Sequence, residues 1–435
     1  MTQIADNPTT TASASAEAIS AQQRKKSLLA SGVGNLLEWY DWTIYAVASV
    51  YIASALFDKS DPTSALLSTL AVFAVGFVSR PFGGFIFGPL ADKIGRRNVL
   101  VTTMLLMAGA SVVIALIPSY DRIGNWASVI LLLARLVQGF AHGGETTTSY
   151  AYVSEIAPPK SRGLWSSSVF FAVGLGSLIA TLFLALLSTV LTVEDMQTWG
   201  WRVPFLIGGF LAIFAMYLRR NMIESEHVEK MQNDDTPAWP LSKFLKTGFK
   251  LFFYEAGSTL TYYIWVTCVA IYAITQKQMD AHDAFVMSAL AQLVYIVCLP
   301  IQGWFSDIIG RKASTLISFT GSGLLLFPLW SLISNEPWTL FVAQAVGLVM
   351  VGFLTSNKPA AMSEQIPTRY RTKLFGIFMS LAIAVFGGTA SYLNAWMYSK
   401  DIGWLFNVYG VVICVVAISV VLTWKNNKGI DLDKV

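Results

Sequence analysis

Gly88-Pro-Leu-Ala-Asp92-Lys-Ile-Gly95-Arg96-Arg97 and Gly303-Trp-Phe-Ser-Asp307-Ile-Ile-Gly310-Arg311-Lys312 follow one pattern, G-x-x-x-D-x-x-G-R-[RK], at an offset of 215 residues. Each is a short charged stretch between two long apolar runs. A second pair repeats at nearly the same offset. Ser154-Glu155 with Pro158 and Arg162 returns as Ser363-Glu364 with Pro367 and Arg371, 209 residues further on. Two different motifs duplicated at nearly one spacing describe a chain built from two related halves.

Outward from these loops the sequence is apolar. Over 435 residues, hydrophobic residues make up 54% and charged residues 13%, with a mean hydropathy of +0.56. An ordinary globular protein carries about 25% charged residues. A soluble chain of this length could not cover its surface with so few, which excludes a soluble enzyme, a nucleic-acid-binding protein and a disordered chain. The net charge of +4 implies no anionic partner, because its placement along the chain explains it. Cys268, Cys298 and Cys414 each lie in an apolar run, so neither a disulfide framework nor a thiolate metal site is expected.

About 20 helical residues cross a hydrocarbon core of ~30 Å. Twelve runs qualify: 28–56, 64–91, 98–118, 127–152, 164–191, 203–219, 249–275, 283–306, 313–334, 338–361, 373–397 and 402–424. They are long and apolar rather than short and alternating, so helices are expected and not a β-barrel. The fold class is an all-α polytopic membrane protein with twelve transmembrane helices. The longest interior polar stretch, 220–247, divides them six and six. The expected organisation is a tail over 1–26, a six-helix bundle over 27–219, a cytoplasmic linker over 220–247, a second bundle over 248–424 and a tail over 425–435. The first 26 residues are polar and end in Arg24-Lys25-Lys26. They lack the apolar core and cleavage site of a signal peptide and read as a disordered cytoplasmic tail.

Lys and Arg set the orientation. With the N-terminus inside, the inner segments hold 22 of the 30 basic residues and the outer loops hold five, Lys59, Arg122, Arg202, Lys277 and Lys400. Both termini are therefore expected to be cytoplasmic. Parallel six-helix repeats related by an axis along the membrane normal are a transporter architecture. The sequence has no G-x-S-x-G, no H-E-x-x-H, no Cys/His cluster and no phosphate-binding P-loop, so neither an intramembrane enzyme nor ATP drive is expected.

The duplicated loops resemble the signature of the major facilitator superfamily, and Arg135-Leu-Val-Gln138-Gly139 resembles its R-x-x-Q-G motif. Further stretches narrow the resemblance: Gly34-Asn35-Leu-Leu-Glu38-Trp39-Tyr40-Asp41, Arg80-Pro81-Phe-Gly83-Gly84, Gly143-Gly144-Glu145, Trp199-Gly200-Trp201-Arg202-Val-Pro204-Phe and Phe386-Gly387-Gly388-Thr389-Ala390. Together they resemble the metabolite:proton symporters, which include α-ketoglutarate permease, citrate, dicarboxylate and shikimate transporters, and proline/betaine transporters. The resemblance runs from about residue 24 to 425. It implies the major facilitator fold, a multi-pass protein of the cell membrane, import of a small solute with protons by alternating access, and no cofactor or metal beyond the proton gradient. The expected partners are the solute, protons and the bilayer, with the protein a monomer. His142 and Thr146 depart from the family pattern. The short segment after the last span lacks heptads, unlike the coiled-coil extension of the proline/betaine osmosensors.

An ionisable residue within a span costs several kcal/mol and marks a functional candidate. Glu38 and Asp41, spaced i, i+3, share one helix face about 15 Å deep. A low-dielectric setting lets such carboxylates hold a proton, as a proton carrier must. Glu38, Asp41 and Glu145 are the candidates for proton coupling. The alternative is that the pair on span 1 forms ion pairs with Arg80 or Arg135. Arg135, Gln138, His142, Glu145 and Ser149 form a single stripe on span 4, which cannot face lipid. A guanidinium matches a carboxylate bidentately, so Arg80, Arg135, Gln138, His142 and Lys358 are the candidates for substrate binding. Ion pairing of each arginine with span 1 or Glu145 is the competing reading. Lys358 either snorkels to the interface or adds a cation to the substrate path. Glu255, Tyr262, Tyr263 and Trp265 either pack or line the cavity.

The gating candidates are Gly88, Asp92, Gly95, Arg96, Asp307, Arg311, Glu155, Arg162, Glu364 and Arg371. The resemblance implies that Asp92 caps the start of span 11. Glu155 with Arg162, and Glu364 with Arg371, are expected to act as further latches. The favoured substrate is a di- or tricarboxylate such as α-ketoglutarate, with a zwitterion such as proline or betaine, or a shikimate-like ring acid, as alternatives.

Overall fold

The computed structural model describes residues 21–84, 86–87, 96–143, 145–219, 239–432 and 435. Among them there is no β-strand. The main helices of the first half are α1 (Ala21–Val47), α2 (Ser49–Leu56), α3 (Pro62–Val78), α4 (Arg96–Leu116), α5 (Trp126–His142), α6 (Glu145–Ile156), α7 (Arg162–Val190) and α8 (Val203–Arg219). Those of the second half are α9 (Leu241–Tyr263), α10 (Val269–Gln276), α11 (Ala281–Ile309), α12 (Arg311–Leu332), α13 (Pro337–Thr355), α14 (Lys358–Ser363), α15 (Thr368–Leu374), α16 (Gly388–Ser399) and α17 (Trp404–Leu422). Eight helices among the described residues are long and apolar enough to cross a membrane, and Thr102–Leu116, Trp126–His142 and Gly200–Ile213 are shorter apolar helices.

Three departures from the expected spans have local causes. Span 4 is interrupted: α5 stops at His142, Gly143 is a turn residue, and the next described helix, α6, begins at Glu145. Span 10 breaks likewise at Ser356-Asn357, and Pro359 sits in the first turn of the helix that follows. Proline lacks the N–H that an uninterrupted helix would use there. The helix of span 7 starts at Leu241, eight residues before the expected edge, directly after Pro240. Spans 7 and 11 also contain π-helical turns, Ile264–Cys268, Phe375–Met379 and Ile383–Gly387. Such wide turns concentrate at functional sites.

Helix starts opposite the repeated loops are capped by carboxylates. Asp61 Oδ1 accepts from the Thr63 and Ser64 amides at 3.1 Å, with Pro62 in the first turn. Asp280 Oδ1 accepts from the His282 amide at 2.8 Å. Each anion answers the unpaired N–H groups and the positive end of its helix. Large apolar side chains such as Leu116, Leu186, Phe210, Leu324 and Val415 stay exposed on the outside, as a lipid-facing surface requires.

The interior is held by glycine contacts, since lipid supplies no hydrophobic drive between helices. A Cβ on Gly139 would lie 1.8 Å from the Gly76 carbonyl oxygen, and one on Gly83 would lie 1.8 Å from that of Phe140. The backbones of spans 2 and 4 therefore touch. Overpacking a core typically costs 1–3 kcal/mol, and backbone cannot yield like a side chain. Gly139→Leu is expected to cost more than that range and to lower the melting temperature in detergent well below that of Gly109→Ala, whose site is open for 4 Å. Equal melting temperatures would contradict the close contact.

The halves meet at both ends. On the face of the repeated loops, α7 packs along α11, with Gly163 against Gly303. At the opposite face, His282 Nδ1 lies 3.2 Å from Ser188 Oγ and 3.1 Å from Thr189 Oγ1, and Tyr51 packs near Phe285. A centre closed at both faces is an occluded arrangement.

Candidate transport site and gate

Between the two closed ends lies a buried polar cluster. Asp41, on α1, accepts hydrogen bonds from the Ser111 hydroxyl and, at 2.7 Å, from Gln138 Nε2. Gln138 Oε1 accepts from Arg135 Nη1 at 2.7 Å. An amide both donates and accepts, so Gln138 joins an anion to a cation that do not touch each other. Glu38 meets His142 instead: Oε1 lies 2.6 Å from Nδ1. Among the described residues no ion pair runs from span 1 to Arg80 or Arg135, the alternative expected for Glu38 and Asp41. The polar stripe of span 4 is the part of the reading it retains. Ser149 belongs to it, accepting from Asn35 Nδ2 at 2.9 Å. Glu145 opens α6, and its side chain lies outside the described residues.

Arg80 and Arg135 are 5% and 0% exposed, and among the described residues neither has a carboxylate within ion-pair distance. Their positive charge rests on aromatic faces. The Arg80 guanidinium is 4.0 Å from the Trp42 ring centre and 4.6 Å from that of Phe77. That of Arg135 is 4.1 Å from Trp42 and 4.3 Å from Tyr45. A desolvated cation–π contact contributes about 2 kcal/mol, less than the several kcal/mol needed to bury an ion. Buried N–H groups also remain: Arg80 Nε, and Arg135 Nε and Nη2, have no acceptor among the described residues. Among the described residues these two cations are therefore incompletely compensated. From the second half, Tyr262 and Tyr263 bring their rings to Trp39, at 5.6 and 6.4 Å between centres, and Tyr263 lies 5.6 Å from Phe77.

Lys358 is buried, not snorkelling. Its Nζ donates to Glu255 Oε1 at 2.6 Å, with both side chains almost wholly enclosed. The break in span 10 places it there, at the first residue of α14.

The gating candidates differ from expectation in their pairing. Glu155 does not meet Arg162, nor Glu364 Arg371. The pairs cross between halves: Arg162 Nη1 donates to Glu364 Oε1 at 3.0 Å, and Arg371 Nη1 to Glu155 Oε1 at 2.7 Å. Each arginine is held by a carbonyl eight residues before it, Arg162 by Ser154 and Arg371 by Ser363. The duplicated motif thus positions each cation in its own half and offers it to the other. Asp307 caps the start of α7, accepting from the Gly163 and Leu164 amides at 2.9 Å, and pairs with Arg311 Nη1 at 2.7 Å. Gly88, Asp92 and Gly95, with the cap implied for span 11, lie outside the described residues, and Arg96 opens α4 without its side chain being described. The C-terminal segment adds a strap that the sequence did not suggest. Ile430 O accepts from Arg162 Nη1 at 3.0 Å, and Asn427 Nδ2 donates to Glu364 O at 2.7 Å.

Removing one partner of a buried ion pair costs about 3–5 kcal/mol. Arg371→Ala is therefore expected to part the halves on this face. Ser167 is buried beside Gly303, and a cysteine placed there in a chain without native cysteines reports the opening. Its labelling by a maleimide should rise at least about tenfold with Arg371→Ala, a 1.4 kcal/mol change. An unchanged rate would mean that the crossed pairs do not latch the halves.

Trp42, Tyr45 and Ser111 were not anticipated from the sequence. Trp42 adjoins Asp41 and lies three residues after Trp39, a signal available within the Glu38–Asp41 stretch. Ser111 sits in an ordinary apolar run and gives no signal.

Comparison with known proteins makes this a membrane transporter rather than an enzyme. The sequence pattern of the family described as "Sugar (and other) transporter" matches residues 27–228, and that of "Major Facilitator Superfamily" matches 251–433. The α-ketoglutarate permease of Escherichia coli (strain K12) is 32% identical over 428 residues, 98% of this chain and 99% of that one. A putative proline/betaine transporter of Staphylococcus haemolyticus (strain JCSC1435) is 34% identical, covering 93% of this chain and 87% of its own. The crystal structure of D-xylose-proton symporter superposes with a TM-score of 0.71 at 17% identity, over 93% of this chain and 99% of the other. The chain belongs to the major facilitator superfamily and is a multi-pass protein of the cell membrane.

Proposed function

We propose that the protein imports a small organic anion together with protons, the favoured substrate being a di- or tricarboxylate such as α-ketoglutarate. The observation that carries this reading is the pair of buried guanidinium groups, Arg80 and Arg135, with no carboxylate partner among the described residues and N–H groups left to donate. A carboxylate supplies what they lack. The name of the E. coli relative, α-ketoglutarate permease, agrees with it.

In this reading the chain crosses the membrane twelve times as a monomer of two six-helix bundles, with both termini and the crossed latches on the cytoplasmic side. The halves rock about the central cluster. Asp41 takes the proton, with Glu38 and Glu145 as further carriers. Protonation removes the negative charge that Gln138 relays to Arg135, which leaves the guanidinium free for the substrate carboxylate. Proton entry then accompanies the anion and offsets its charge. The proton gradient is the drive, with no cofactor.

A second reading has support in the proline/betaine names of other relatives. A quaternary ammonium needs open aromatic faces. Trp42 and Tyr45 already carry guanidinium groups, which favours the anion. Counterflow into preloaded proteoliposomes of labelled α-ketoglutarate, citrate, succinate, shikimate, proline and betaine decides between them. A di- or tricarboxylate is expected to exchange. Exchange of betaine or proline alone would overturn the anion reading.

A further inference from the structure

The duplication extends into the buried centre. Glu38 of α1 pairs with His142 at the end of α5 at 2.6 Å. Glu255 of α9 pairs with Lys358 at the start of α14 at 2.6 Å. The carboxylates are 217 residues apart and the nitrogen bases 216, nearly the 215-residue offset of the duplicated loops. Span 7 repeats span 1 and span 10 repeats span 4, so the second pair is the internal counterpart of the first.

We propose that Glu255 and Lys358 form a second proton and anion site, in which Glu255 takes a proton and yields Lys358 to the distal carboxylate of a dianionic substrate. The proposal rests on the organic-anion reading above and adds a second point of attachment to it. The pair is poorly compensated for a structural bridge. Glu255 Oε1 accepts from Lys358 and, at 2.8 Å, from Thr259, while Oε2 has no donor among the described residues. The Lys358 ammonium has three N–H groups. Besides Glu255 it meets the rings of Tyr150 and Phe170, at 5.7 and 5.5 Å. A buried ion pair is weak evidence for stability, and a well-packed apolar pair often serves as well. This one also faces the other half. Tyr150 and Phe170 belong to the first bundle, and the Tyr150 phenol lies within charge-interaction range of Glu255, Glu38 and Arg80. A dianion held by Arg80 at one end and Lys358 at the other would lie across Tyr150.

Among the described residues, the charged and titratable groups around Glu255 are Lys358 from span 10, Tyr150 from span 4 and the neighbouring Tyr254 on its own helix, with Glu38 and Arg80 beyond Tyr150. The step is a proton transfer alone. Glu255 carboxylate gains a proton, its ion pair with Lys358 opens, and a Lys358 N–H is donated to the substrate. With one proton in each half, a dianion enters electroneutrally with two protons.

The test is equilibrium binding to the purified full chain, from pH 6 to 8, of α-ketoglutarate and of 2-oxopentanoate, which lacks the distal carboxylate. For the unaltered chain the α-ketoglutarate Kd should rise toward a hundredfold per pH unit, the limit for two protons. Glu255→Gln should reduce this to about tenfold. The double variant Glu255→Met with Lys358→Met removes the pair without leaving a lone buried charge. It should lower the affinity ratio of α-ketoglutarate over 2-oxopentanoate at least about tenfold. An unchanged pH slope in Glu255→Gln, or an unchanged ratio in the double variant, would overturn the second site and leave the anion reading intact. Binding of neither acid by the unaltered chain at any pH would overturn the anion reading and this proposal with it.

Discussion

Asp41→Asn is expected to lower accumulation of substrate against its gradient about tenfold per pH unit while leaving exchange of preloaded substrate intact. Asparagine keeps the shape of the residue, and its carbonyl still accepts from Gln138 Nε2 and the Ser111 hydroxyl, the two groups that hold Asp41. What it loses is the capacity to change charge. One proton moving down a gradient of one pH unit supplies 1.36 kcal/mol, or about tenfold accumulation. A carrier deprived of the Asp41 proton keeps at most the one taken at Glu255, so its accumulation falls by about that factor for each pH unit of gradient. Exchange needs only the rocking motion and the substrate site, so it survives. Accumulation equal to that of the unaltered chain would remove Asp41 from the coupling step.

Arg135→Lys is the second large effect. Charge alone would make it conservative. The geometry says otherwise, because Arg135 spends one N–H on Gln138 and keeps Nε and Nη2 without an acceptor among the described residues. A guanidinium can hold Gln138 and still present two donors in a plane to a carboxylate, while an ammonium presents a point charge. A hydrogen bond to a charged group contributes about 1.5–3 kcal/mol. Loss of one such bond predicts a rise of about 10- to 100-fold in the KM for anion uptake. Uptake within about twofold of the unaltered chain would move the substrate site away from Arg135.

The sequence disclosed the helical class and the buried stripe of span 4, because apolar length and periodicity are properties of one strand of chain. The stripe of Arg135, Gln138 and His142 is an example: helical periodicity places these residues on one face, and the structure finds them there, all buried. Periodicity does not say which residue lies opposite. Glu155 and Arg162 are seven apart and look like a local pair, yet Arg371, the partner of Glu155, is 216 residues away. Lys358 looked free to reach the interface until the break at Ser356-Asn357 turned it inward to Glu255. Ser111, on α4, meets Asp41, on α1, 70 residues away, a contact that only packing between helices creates. These misses share one physical cause: hydrogen-bond partners across helices are set by three-dimensional packing.

Proton-coupled entry of an organic acid is the central claim, and proteoliposomes with an imposed inward proton gradient test it most directly. Labelled α-ketoglutarate is supplied outside and its internal concentration followed with and without an uncoupler. The expected result is accumulation several-fold above the external level, collapsing when the gradient is dissipated. Equilibration to the external level with no response to the gradient, in vesicles that exchange the same acid by counterflow, would contradict proton coupling.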